Sequence, residues 1–516
     1  MASERLSRHD WVVPGGMWVT ISLGMLLGLI AAVMTRFSIK WSGLFLIGLT
    51  VLVCSLAVAN AKTYWLAIFA LLLPLEVKKM LVDSSFIVDF IRQYGFPTGE
   101  LPGPVVYISD LPLLVLLLLW LYEAVVHGKR IRFPRAHWLA VALLGWSALS
   151  MLNARDLASA FFDLCRGVKL YVLYILAYNT FAERKPLRVL LIALLAGVVL
   201  QGVICLAQFA SPKVASVFTS ALGKKDLQSS ELKSATEGFM RITEGGGIAA
   251  RRAGGTVGPI NAEAYYFEQL LPMAFLAWLA VRRWPERHLG LLATALGTMG
   301  LLVTFSRGGL LGLCAAATTV LVLAWLRNAV SRQRIVLLVL AGLILMVSAS
   351  PLVARYFGSR PEGASARLYL MKVGLQMVAD HPVLGVGLNN HLQAKTDYDI
   401  RTYAVQMPTH NHFIMLASQI GIPGLLLFLG FLASVWFSAL KASRSQEAMT
   451  VCVAIGTAAA LVAIVVHSQF DYIGTQANLS LLWLFAGIVA ALANQQVRHE
   501  TQLRPEVIET RGTGNG

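Results

Sequence analysis

The run Val189–Phe209 reads VLLIALLAGVVLQGVICLAQF, twenty-one residues without a charge. Wound as an α-helix it is about 31 Å long, which matches the hydrocarbon thickness of a bilayer. Comparable runs fill Met17–Met34 and Trp41–Ala59. Over all 516 residues 57% are hydrophobic and 14% charged, and the mean hydropathy is +0.67. That is too little charge to cover a soluble protein of this size. Lipid is therefore expected to solvate most of the chain. The first run is long and is followed at once by further spans, so it reads as a transmembrane helix and not as a cleaved signal.

The net charge is +16. In a soluble protein this would suggest nucleic acid, but no long basic segment interleaves with aromatics here, and nucleic acid is set aside as a partner. The basic residues instead form clusters: Lys129 to Arg135, Arg184 to Arg188, Arg282 to Arg287, Arg327 to Arg334, and Lys441 with Arg444. Two apolar runs separate each cluster from the next, as expected of a chain that crosses out and back with every cluster on the cytoplasmic side. The pattern predicts an all-α, polytopic integral membrane bundle of about 12–14 transmembrane helices with both termini cytoplasmic. Arg36 and Lys40, in the first outside turn, run against it.

Three longer polar stretches fall on the outer, periplasmic side: 78–110, 211–261 and 351–412. Long loops are largely exempt from the charge rule. In the last of them, Leu368, Met371, Leu375 and Val378 recur at helical spacing across Ser365–Ala379, which predicts an amphipathic helix on the membrane surface or over a cavity. The expected organisation is residues 1–157 as N-terminal spans, 158–495 as a catalytic membrane region, and 496–516 as a disordered cytoplasmic tail. Cys54, Cys165, Cys205, Cys314 and Cys452 have no Cys-x-x-Cys spacing and read as packing residues.

Polar chemistry gathers on the outer side. His381, His391, His410 and His412 all lie in loop 351–412, and His410 and His412 flank Asn411 where the loop re-enters an apolar run. Imidazole moves protons well near neutral pH. The alternative is that each histidine only bridges loop carbonyls. Metal binding with Asp380, Asp397 and Asp399 is weighed and set aside, because the spacing fits no zinc pattern. Arg252, Arg307 and Arg367, with Arg166 and Lys169 inside an apolar region, face the same side. Several guanidinium groups together suit a diphosphate, whereas one alone would more simply snorkel to lipid phosphate. Gly254-Gly255-Thr256-Val257-Gly258-Pro259 precedes a helix expected from about Asn261, and its amides offer an anion site.

These residues carry a resemblance. His410-Asn411, nine residues, then Gly421-Ile422-Pro423-Gly424 is similar to the signature of the O-antigen ligase and O-antigen polymerase family. So are Ala366-Arg367-Leu368 leading to Asp380-His381-Pro382 and Gly385-Val386-Gly387, Arg252-Ala253-Gly254-Gly255-Thr256 with Asn261, and Ser306-Arg307-Gly308-Gly309. The likeness runs in order over about residues 160–490. Two departures stand out: Ile260 precedes Asn261 where the family often has proline, and Gln419 replaces a frequent glutamate.

The resemblance implies a bacterial inner-membrane glycosyltransferase that needs no cofactor, metal or nucleotide sugar. Its donor would be a glycan on undecaprenyl diphosphate. Its acceptor would be a sugar hydroxyl on lipid A-core or on a growing glycan, among membrane lipids. His410 would be the general base of an inverting displacement. Arg252, Arg307 and Arg367, and less directly Arg166 and Lys169, would hold the leaving diphosphate. Asn411, Asn261 and Ser306 would support them. The rival reading is a transporter of a lipid-linked or anionic solute. No internal repeat favours it, and the polar groups collect at one face, not at mid-depth.

Overall fold

The computed structural model describes residues 48, 50–55, 58, 60–80, 105–181, 186–211, 252–348, 361–398 and 408–512. The chain divides into two units, residues 1–64 and residues 65–516. The expected span 17–34, much of 41–59, the turn with Arg36 and Lys40, and most of loop 211–261 lie outside the described residues. In chain order the helices are α1 Ala61–Leu72, α2 Asp110–Val126, α3 His137–Ser150, α4 Leu157–Thr180 and α5 Pro186–Ala210. There follow α6 Ile260–Ala280, α7 Trp284–Val303, α8 Arg307–Leu326, α9 Arg332–Ser348 and α10 Pro361–Asp380. The series closes with α11 His391–Lys395, α12 His412–Ala442, α13 Ala448–His467 and α14 Gln476–Gly512. A two-stranded antiparallel ribbon, β1 Lys78–Met80 with β2 Val105–Tyr107, is the only sheet among the described residues. The all-α membrane architecture is as the apolar runs require.

Five described helices are long and apolar enough to cross a bilayer: Leu187–Ala210, Arg307–Leu326, His412–Ala442, Ala448–His467 and Gln476–Arg498. α6 is well covered, with Tyr265, Tyr266, Phe267 and Leu270 all buried. It packs on α5, α7, α8 and α13, while α12 and α14 join α3 and α4 to the other side of the bundle. Side chains such as Leu118, Val322 and Leu337 are left exposed on the outer helices. In a bilayer that surface faces lipid, where exposure of Leu and Val costs nothing.

Two expectations change. α14 continues helical through Gly512, where composition suggested a tail without structure; its stretch beyond Asn494 holds several Gln, Glu and Arg, all good helix formers. The amphipathic helix at Ser365–Ala379 is present as α10, but its packed stripe is Leu370, Val373 and Met377. That stripe meets Val386 and Ala394 of the following loop, with Tyr369 and Tyr398 beside them. Leu368 and Leu375, which the spacing assigned to the packed face, are 61% and 52% exposed. The helix carries apolar residues on two faces, and periodicity alone does not say which one the loop covers.

The apolar run 413–440 reads as one span, yet α12 is two helices in line. Ile420 and Gly421 leave helical geometry, with Gly421 at φ +72°, and Pro423 follows. Three carbonyls around the break accept hydrogen bonds from outside the helix. Val386 N–H donates to Ser418 at 2.8 Å, Gly387 N–H to Gln419 at 3.0 Å, and Trp146 Nε1 to Ile420 at 2.9 Å. In return, Ile422 N–H donates to Pro382 at 2.8 Å. The Gly385-Val386-Gly387 strap thus completes the broken helix. A Cβ at Gly385 would strike the Gln419 backbone, and one at Gly421 the Val383 carbonyl. The strap is itself pinned to the α3–α4 turn by Asn153 Nδ2 to Gly385 O at 2.8 Å and by Leu388 N–H to Ser150 Oγ at 3.1 Å.

Candidate active site

Seven helix ends meet at one end of the bundle: the C-termini of α5, α7 and α13 and the N-termini of α6, α8, α12 and α14. Helix ends carry unpaired backbone groups and so gather polar side chains. Asn411 caps α12, its side-chain oxygen accepting from Phe413 and Ile414 N–H at 3.1 Å each. Ser306 caps α8 by accepting from Gly309 N–H at 3.2 Å. Both supporting residues therefore have a structural task at the site.

His410 precedes that cap. Its Nδ1 lies 3.1 Å from Asp471 Oδ1, in the turn between α13 and α14. Burial alone would raise the Asp471 carboxyl. The hydrogen bond and charge of His410, the charge of His467 and the Tyr472 N–H outweigh it and hold the group below its ordinary value. Asp471 is the acceptor of this pair, so when His410 carries a single ring proton that proton sits on Nδ1 and leaves the Nε2 lone pair available. The ring is 20% exposed, enough to meet a substrate at its edge.

A chain of hydrogen bonds runs on from Asp471. Its second oxygen accepts from Asn261 Nδ2, and Asn261 Oδ1 accepts from Arg252 Nη2 at 3.1 Å. Arg252 Nε donates to the Thr304 carbonyl at 2.7 Å, two residues before the Ser306 cap. His410, Asn261, Arg252 and Ser306, distant in sequence, thus belong to one network. Arg307 opens α8 next to that cap, and the adjacent Gly308 lies against the His467 ring, where a Cβ would overlap it. His467 pairs with Glu268 at 3.0 Å and stacks on Tyr265 at 3.8 Å, beneath the Asp471 turn.

The other predicted cations lie further out. Arg367 is exposed on α10, one turn before Leu370, whose carbonyl accepts from Thr409 Oγ1 at 3.0 Å beside His410. Arg166 reaches the same turn as Asp471 through Gly474 O at 3.3 Å but is paired with Asp163 at 2.5 Å. Lys169 is paired with Asp110 at 3.0 Å. The charges of these two are already matched inside the protein.

The glycine-rich turn before α6 is not an open anion cradle. Val257 N–H donates to Glu263 Oε2 at 3.2 Å, and a Cβ on Gly255 would overlap that carboxylate. The helix's own glutamate fills the place an external anion would take.

His391 is fully buried and bridges two parts of the site. Nδ1 lies 2.7 Å from Ser418 Oγ, which itself donates to Met415 O, so Nδ1 carries the proton. Nε2 accepts from Thr409 N–H at 3.4 Å. Burial, with Lys395 adding to it, pushes its pKa down to about 3. It is a neutral strut holding the residue before His410.

The geometry defines a polytopic helical membrane protein with an imidazole–carboxylate pair and an arginine network at one end of its bundle. Residues 292–429 match a family model described as O-antigen ligase, so this part of the chain is similar to that family. The match takes in Ser306, Arg307, Arg367, His410 and Asn411. Arg252, Asn261 and Asp471, joined to His410 by hydrogen bonds, lie outside it. No curated protein matches the chain.

Proposed function

We propose that this protein moves a glycan from undecaprenyl diphosphate to a sugar hydroxyl at the periplasmic face of the bacterial inner membrane, with lipid A-core or a growing glycan as acceptor. The His410–Asp471 pair carries the reading. His410 Nε2 takes the acceptor hydroxyl proton as that oxygen bonds to the anomeric carbon. The bond from that carbon to the diphosphate oxygen breaks with inversion, and the diphosphate departs with the electron pair. Asp471 fixes the tautomer and stabilises the imidazolium that forms. Arg252, Arg307 and Arg367 offset the growing negative charge. Arg166 and Lys169, already paired, contribute less.

The test is reconstitution with a lipid-linked glycan and acceptor, without nucleotide or ion gradient. Turnover by the native chain is expected. His410→Ala is expected to lower it by about 10²–10⁴-fold at normal membrane abundance. Undiminished transfer by that variant removes His410 from the mechanism. The glycan profile of a deletion strain separates the two acceptors. Long polymer accumulating without capped lipopolysaccharide marks ligation, and single repeats mark polymerisation.

A further inference from the structure

A second polar site lies at the opposite end of the bundle. Arg132, Tyr178, Ala491, Asn494, Gln495 and Arg498 line a small notch between the α2–α3 loop, the end of α4 and α14. Asn494 is eighteen residues along α14 from Gln476, which places the notch about 27 Å from the Asp471 turn. That distance is close to the hydrocarbon thickness of a bilayer.

The notch is built, not merely lined. Arg132 is clamped through its backbone: its N–H donates to Asn179 Oδ1 at 3.0 Å, and its carbonyl accepts from Asn179 Nδ2 at 2.9 Å. The floor is fixed by Asn494 Nδ2 on Tyr178 OH at 3.0 Å and by Gln495 Nε2 on Phe181 O at 2.8 Å. Arg132 and Arg498 therefore border a floor of hydrogen-bonding side chains. The same loop exposes Ile131 and Phe133, and the first turn of α3 exposes Trp138 at 68%. Exposed aromatic and aliphatic side chains beside arginines mark a segment seated at the level of lipid head groups.

We propose that this notch binds the phosphate-bearing head group of an anionic phospholipid in the leaflet at that end of the bundle. The two guanidinium groups bind the phosphate, Asn494 and Gln495 suit the polar remainder, and Ile131, Phe133 and Trp138 border the acyl chains. The apolar collar distinguishes a lipid from free phosphate, which has no use for it.

Native mass spectrometry of the detergent-purified full chain tests this with phosphatidylglycerol, phosphatidylcholine and inorganic phosphate as probes. Phosphatidylglycerol is expected to stay bound, and phosphatidylcholine is not. Arg132→Gln with Arg498→Gln is expected to weaken retention roughly thirtyfold, equivalent to about 2 kcal/mol. Arg130→Gln with Arg135→Gln removes the same charge outside the notch and is expected to retain the lipid. Equal losses in both variants, or displacement of the lipid by millimolar phosphate, overturn the proposal. On the native chain, a photoactivatable phosphatidylglycerol is expected to label residues 129–138 and 491–498. Labelling confined to other segments overturns it equally.

Discussion

Asp471 shows what a single residue adds and how it escapes a linear reading. It is the only acidic residue between Glu447 and Glu500. A lone carboxylate in a short turn between apolar spans was a signal open to sequence reasoning. Its partner is sixty-one positions away, however, and hydrophobic periodicity carries no record of polar pairing. His410, Arg252 and Asn261 were legible because each stands in a short motif. Asp471→Asn should leave the fold in place and lower turnover about 10²-fold or more, since the amide no longer selects the Nδ1–H tautomer. Its linkage to stability has a definite sign. A carboxyl held below its ordinary value stabilises the fold fully above pH 3.8 and loses that contribution as pH falls through its depressed pKa. Melting curves of native and Asp471→Asn protein in detergent should therefore differ by a constant amount above that pH and converge below it.

His391 titrates in a different window. Its pKa falls from 6.5 unfolded to about 3 folded, so its contribution is complete above 6.5 and is lost as pH drops toward 3. By pH 5 the loss amounts to about 2 kcal/mol. His391→Gln should flatten the fall in melting temperature between pH 6.5 and 5. A slope unchanged by that substitution would assign the acid sensitivity to another group.

Among the elements, α12 is the instructive case. Its apolar run reads as one span, and the residues of the break, Gly421-Ile422-Pro423-Gly424, stand in plain view as a motif. What they do becomes visible only beside the strap that satisfies their carbonyls, because a hydrogen bond between distant segments leaves no local trace in sequence. Gly421→Ala should destabilise the chain by more than about 1 kcal/mol, since alanine resists a φ of +72° and its Cβ meets the Val383 carbonyl. Trp146→Phe removes one donor to the break and should cost about 1 kcal/mol. Thermal unfolding in detergent reads both. α10 teaches the complementary lesson: the existence of the helix was legible, but the choice between its two apolar stripes belonged to Val386 and Ala394.

For the whole molecule, the alternation of basic clusters and apolar runs was enough to indicate a helical membrane bundle. It also implied that the polar loops share one side, and the meeting of seven helix ends around His410 agrees with that. Which side faces out is open to direct measurement. In a cysteine-free background, Gln469→Cys beside the Asp471 turn should react with a membrane-impermeant maleimide in intact spheroplasts. Gln446→Cys, at the other end of α13, should react only after permeabilisation. The reverse pattern would invert the bundle and remove the periplasmic reaction.

The splice between strap and broken helix also limits how this protein can be recombined. Exchanging the 351–412 segment with that of a relative, to alter acceptor choice, would bring a foreign strap to a native break. Crossover points placed after Gly424 move donors and acceptors together. Junctions at residue 412 split them, and such chimaeras should fail to accumulate whatever substrate they were built to accept.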